Sequence, residues 1–251
     1  MLGLSLSLGC TQTFGGARGD GARPGVEAAD LALARGNFEQ AIQVFDELLR
    51  RDPGDRRALL GSARANLAAD RGEAALGRFA SYREQGNPWR QVEQWEYCSA
   101  LALGTQQVLA SGGRPDWALE LAYRLESEEC GHAGTTDLIS RSAISLAKQE
   151  VAQGRGDHAL EVYLSLLPPE GEPLGPSIHT NALAGAFLGA AELLIEAGRR
   201  EEALALLSQG LDAFPSDADL VHRMVTVLAD GSAAVIPRVS SPGVTQPAAP
   251  R

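Results

Sequence analysis

Cys130 and His132 stand two residues apart in the stretch CGHAG, a spacing with the ligand types that bind zinc. Two ligands do not make a tetrahedral site, and no second cluster lies near them in the sequence. The other histidines, His158, His179 and His222, form no HExxH pair. GxSxG, the turn that exposes a nucleophilic serine, is absent. So is GxxxxGK[ST], and Lys148, the only lysine, leaves a lysine-based phosphate loop without a candidate. GRGDHA, Gly154 to Ala159, has the GxGxxA form of a dinucleotide loop. That chemistry needs a strand before the turn and a helix after it, and no strand signal precedes Gly154. Glu126, Glu128 and Glu129 read as a solvated helix face, not as a convergent acid–base pair. No cofactor, metal or catalytic residue is expected.

The elements that would position these groups are helical. Apolar residues make up 44% of the 251 and aromatic residues only 5%, a balance suited to closely packed helices. The formal net charge is −10. Residues 1–25 carry Arg18, Asp20 and Arg23, and residues 231–251 carry Arg238 and Arg251, which leaves −13 on the segment between them. A body this acidic repels a phosphate backbone, so nucleic acid is not an expected partner.

One punctuation recurs along that body. RGNFEQAIQVFDELLRRDP begins at Arg35, and AGRREEALALLSQGLDAFP begins at Ala197. Both have Gly, then Ala five residues on, then a large apolar residue four further, then Pro. The alanines are Ala41, Ala75, Ala118, Ala159 and Ala203. The first repeat holds Gly36, Ala41, Phe45 and Pro53, and the last holds Gly198, Ala203, Leu207 and Pro215. Between them lie Ala75 with Phe79, Ala118 alone, and Ala159 with Tyr163. Asp70 stands where the second repeat would have its Gly, and the third has Gly113 and Pro115. Gly36 and Gly198 suit the left-handed turn that stops a first helix. Asn37 and Gln40 have capping-box spacing for the helix that follows. The alanine is small because that helix must lie close to the first, and Pro ends it. In PSDADLVHRMVTVLADG, Ser216 is the expected N-cap, Asp219 its capping-box partner and Gly231 the stop. Leu220, Met224, Val227 and Leu228 are its expected apolar face.

This pattern resembles the tetratricopeptide repeat, a helix–turn–helix unit of about 34 residues. The resemblance implies an all-α fold, a right-handed superhelical stack of about five such units closed by a capping helix, over residues 26–230. It also implies a concave groove lined by the first helix of each unit. Registered on that pattern, Arg57 and Arg64 face the groove from the second unit, and Arg141 and Lys148 face it from the fourth. Each pair is seven residues apart, two turns on one helix face. Such a basic strip inside an acidic shell suits an acidic peptide or a protein C-terminus.

The ends read differently. LGLSLSLGC, Leu2 to Cys10, resembles the end of a bacterial lipoprotein signal, which implies lipidation of Cys10. Residues 11–25 complete a flexible linker, and residues 231–251, rich in Pro, Ser and Ala, are an expected disordered tail that could also act as a short ligand. Cys98 falls among Ala and Leu on an expected helix and reads first as a buried thiol. With Cys10 lipidated, Cys98 and Cys130 remain as an even pair that an oxidising periplasm could join. The leading expectation is a non-enzymatic, lipid-anchored scaffold of the bacterial cell envelope that binds another protein and touches the membrane only through its anchor. Similar repeat lipoproteins assist assembly of envelope complexes. The alternatives are a cytoplasmic adaptor of the same fold and an enzyme built around Cys130 and His132.

Overall fold

Helices of 10 to 21 residues separated by short turns follow from the alternation of apolar stripes and left-handed residues. A computed structural model of the chain describes residues 24–168 and 181–233. Among the described residues there are eleven α-helices and no strand. Five pairs follow one another: α1 (Pro24–Ala34) with α2 (Phe38–Arg51), α3 (Arg56–Ala68) with α4 (Gly72–Glu84), α5 (Gln91–Ser111) with α6 (Pro115–Ser127), α7 (Thr135–Ala152) with α8 (Gly156–Ser165), and α9 (Asn181–Glu196) with α10 (Arg200–Ala213). A final helix, α11 (Ala218–Ala233), is the last described element. Cys10, His179 and most of the C-terminal tail lie outside the described residues.

The described residues divide into two compact units. One contains α1, α2, α3 and Gly77–Pro88; the other contains Asp70–Leu76 and everything described from Trp89 onward, so α4 contributes to both. In the first unit α2 packs on α1 and α3, and α1 also packs on α3. In the second, every helix from α5 to α11 packs on the next one along the chain, while α5, α7, α9 and α11 also pack in succession on one another. Serial stacking of this kind is how hairpins that cannot bury their own apolar faces become stable.

The turn inside a pair is nearly invariant in three of the five. Gly36, Gly154 and Gly198 take φ of 77°, 75° and 75°. The residue after each glycine sends its N–H five residues back, Asn37 to Ala32, Arg155 to Glu150 and Arg199 to Leu194, at 2.9, 2.9 and 2.8 Å. This is the Schellman closure of a helix C-terminus. The same three residues are the N-caps of the following helices, with φ/ψ of −84°/62°, −99°/58° and −87°/57°. Their carbonyls accept the N–H of Ala41, Ala159 and Ala203. Asp70 supplies the left-handed residue of the second pair (φ 54°) and Gly112, not Gly113, that of the third (φ 66°). All five recurring alanines are fully buried.

Two capping expectations are corrected. Asn37 makes no side-chain cap; the turn's geometry is held by its backbone, so the Asn37–Gln40 box is not formed. At α11 the cap is Asp217, not Ser216: its carboxylate accepts the N–H of Asp219 at 3.1 Å and of Leu220 at 3.0 Å. The helix also runs through Gly231 to Ala233. Pro53 and Pro215 lie just beyond α2 and α10, and Asp52 before Pro53 is extended, as the proline ring requires.

The aromatic residue of the second helix fits a socket on the next odd-numbered helix. Phe45 is fully buried, and a Cβ on Gly61 of α3 would stand 2.2 Å from its Cζ. Tyr163 repeats this against Gly189 of α9, at 2.5 Å. Gly72 and Gly104 bring backbones together, since a Cβ on Gly72 would stand 2.4 Å from the Gly104 nitrogen. Around α8 to α11 the core gathers Ala159, Tyr163, Phe187, Ala203, Leu207 and Leu220.

Candidate interaction surfaces

The odd-numbered helices pack side by side within each unit, and the basic residues read from the sequence lie on two of them, α3 and α7. Asp55 caps α3 by accepting the N–H of Arg57 at 3.0 Å and of Ala58 at 3.3 Å, which starts the helix that carries Arg57 and Arg64. Arg57 is exposed and reaches Asp30 of α1 at 3.7 Å. Arg64 is half-buried two turns further along. In the second unit Arg141 and Lys148 are both exposed on α7, and Arg141 pairs with Asp137 one turn earlier at 3.6 Å. Both ion pairs are long and solvent-exposed, a class worth about 0–1 kcal/mol, so a ligand carboxylate can replace either aspartate at small cost.

GRGDHA is a latch between helices. Glu150, buried near the end of α7, accepts Arg155 Nη2–H at 2.6 Å and Arg155 Nε–H, and lies 2.9 Å from His158 Nδ1. The Arg155 hydrogen bonds and then the His158 contact hold the Glu150 carboxyl down at about 2, against desolvation that pushes it up. The same bond raises Arg155 above its ordinary value. Arg155 also caps α8, so the two helices of the pair are tied through backbone and side chain together.

Cys98 and Cys130 are joined by a disulfide, with Cα atoms 5.7 Å apart. Cys98 is buried as expected on α5, but it is not a thiol. The bridge ties α5 to the turn after α6, where Glu129 (φ 50°), Gly131 (φ 57°) and Gly134 (φ 98°) fold the chain tightly. His132 contributes its carbonyl there, accepting from Thr135 Oγ1 at 2.8 Å. With Cys130 in the disulfide, the CGHAG stretch has no thiolate to offer a metal, and among the described residues no three His, Cys, Asp or Glu side chains converge as a metal site.

One surface departs from the sequence expectation. A closing helix should be polar on its outer side, yet on α11 Val221, Val225 and Leu228 are 42%, 60% and 49% exposed. Leu228, expected on the buried face, is not part of it; Leu220, Val227 and the half-buried Met224 form that face alone. Val151 on α7 is also exposed. The sequence carries the signal as a second stripe at i, i+4 and i+7, offset by one position from the buried one.

These features define an all-α protein of stacked helical hairpins. Residues 32–94 match a model of the tetratricopeptide repeat. Among solved structures it is similar to YrrB, described as a TPR protein with an unusual peptide-binding site, at 19% identity over 80% of this chain and 91% of that one, TM-score 0.37. It is also similar to TTC0263, a thermophilic TPR protein in Thermus thermophilus, at 20% identity over 82% and 98%, TM-score 0.31. MamA is similar at 16% identity over 76% and 90%, TM-score 0.34. No curated protein matches the chain.

Proposed function

We propose that the protein is a non-enzymatic scaffold of the bacterial cell envelope that holds an acidic segment of another protein through basic residues of α3 in one unit and of α7 in the other, anchored on the periplasmic side by a lipid on Cys10. The observation that carries the binding role is the pair of helix faces on which Arg57 and Arg64, then Arg141 and Lys148, recur at two-turn spacing. Arginine gives bidentate contacts to carboxylates, so the segment is acidic or ends in a free carboxylate. The Cys98–Cys130 disulfide supports the compartment, because such bonds persist in an oxidising one and are reduced in most cytoplasms.

Affinity capture from native membranes with wild type and with Arg57→Glu plus Arg141→Glu tests the first part. The same partner should be retained by wild type and lost from the charge-reversed protein; equal retention overturns the reading. Palmitate labelling tests the anchor separately. Label on wild type and none on Cys10→Ser supports it, whereas an unlabelled wild type favours a cytoplasmic adaptor.

A further inference from the structure

Six residues before the left-handed residue that closes its first helix, each of the five hairpins carries a polar group: Asp30, Arg64, Gln106, Lys148 and Glu192 in turn. Only α3 and α7 place a cation there. Both carry a second cation two turns earlier, Arg57 and Arg141, and a branched apolar residue between the two, Leu60 and Ile144. The same cation, apolar residue and cation thus recur at the same places on one helix of each unit. Arg57, Arg141 and Lys148 are exposed, while Leu60, Arg64 and Ile144 are half-buried. On α3 the access is narrow: from Ala58 to Asn66 every residue except Leu60 and Arg64 is buried. α1 packs on α3 and α9 on α7, so each cationic helix has a neighbour with an acid at the corresponding place, and Arg57 reaches Asp30 at 3.7 Å.

We infer that each unit binds one copy of a short internal motif, acid–x–apolar–x–acid in extended conformation, so that one chain holds two copies. This rests on the reading above that the basic residues of α3 and α7 hold an acidic segment, and it adds the pattern and the number. The two cations of a face lie about 10 Å apart along the helix axis at 1.5 Å per residue. In an extended peptide alternate side chains face one side, and acids four residues apart span about 13 Å. The long stems of arginine and lysine make up the difference. The apolar residue between the acids then meets Leu60 or Ile144, contact that a purely acidic chain cannot supply. Asp30 and Glu192 limit the motif's length, because further acids carried onto α1 or α9 would meet like charge. The occupant is therefore a short patterned motif, not a long acidic run.

The test titrates the full chain, followed by amide NMR, with the peptide Gly-Glu-Ser-Leu-Ser-Glu-Gly blocked at both ends. Amides of α3 and of α7 should both shift. Arg57→Gln with Arg64→Gln should abolish the α3 response and spare that of α7, and Arg141→Gln with Lys148→Gln should do the reverse. Arg57→Gln alone, at an exposed position, should weaken the α3 response even if the paired variant is unstable. The same peptide with Gln in place of Leu keeps the charge and should bind about fivefold more weakly at both helices, the loss of one partly buried leucine contact. A response from one helix only, equal binding of the Leu and Gln peptides, or binding that requires a free C-terminus overturns this inference and leaves the acidic-segment reading standing. No response to any of these acidic peptides overturns both.

Discussion

Replacing Gly61 by alanine should destabilise the protein, although the same change in an open helix stabilises. A Cβ at Gly61 would lie 2.2, 2.4 and 2.9 Å from Phe45 Cζ, Cε1 and Cε2. Carbon atoms pack at about 3.5–4.0 Å, so the ring would have to retreat by more than about 1 Å. Phe45 is fully buried, so its ring can move only by displacing its neighbours. Overpacking of this kind costs about 1–3 kcal/mol, against about 1 kcal/mol recovered because alanine is the better helix former. The net expectation is a loss of up to about 2 kcal/mol, in place of the gain an open helix would show. Gly77 of α4 is the control, since nothing stands within 4 Å of its missing Cβ; Gly77→Ala should gain about 0.5–1 kcal/mol. Urea unfolding followed by circular dichroism measures both. Shortening the ring should relieve the clash, so Gly61→Ala should cost less in a Phe45→Leu background, a coupling that a double-mutant cycle isolates. The socket argument fails if Gly61→Ala gains stability as Gly77→Ala does, or if its effect is the same in the Phe45→Leu background as beside the intact ring.

The Glu150 latch should appear in the acid limb of stability. Its folded value, about 2, lies below the ordinary 4.5, so the unfolded chain binds more protons between those values. The latch contributes fully above about pH 4.5 and is lost as pH falls toward 2; Glu150→Gln should flatten the profile across that window, and an unchanged profile counts against the latch. The disulfide closes a loop whose ends are 32 residues apart. On the chain-entropy model its loss costs about 4 kcal/mol, so reductant or Cys98→Ser should lower the melting temperature measurably. A melting temperature insensitive to reductant, with both thiols labelled beforehand, would show that the bond does not form.

The repeating pairs are legible in the sequence because their determinants are local. A left-handed residue followed five positions later by a small one fixes a turn and a close helix contact within a single hairpin, and Ala41, Ala159 and Ala203 all occupy the place this spacing assigns. The sockets are not legible. A glycine inside a helix, such as Gly61 or Gly189, reads as a weakness until the aromatic ring that fills its space is known. Capping at α11 is ambiguous for a related reason: Ser216 and Asp217 both cap well, and the choice depends on where the chain leaves Phe214. Leu228 is misplaced by pattern alone because the buried stripe follows 220, 224 and 227, while 228 turns outward. Among the candidate binding residues, the Asp137–Arg141 pair is legible as an i,i+4 spacing, but Asp30, which meets Arg57 from another helix, is not.

In three hairpins the residue after the left-handed glycine uses its N–H to close one helix and its C=O to open the next. Such a residue has no slack on either side, so the chain cannot gain or lose a residue there without breaking both ends at once. Length variation must collect instead in the joints between hairpins and in the odd-numbered helices. The spacing of the five alanines agrees, since the glycine-to-alanine interval stays at five wherever that turn occurs while the full period drifts. For anyone grafting a loop, tag or reporter into this protein, the tolerant sites are joints other than the disulfide-bonded one after α6, and the tight turns are the places to leave alone.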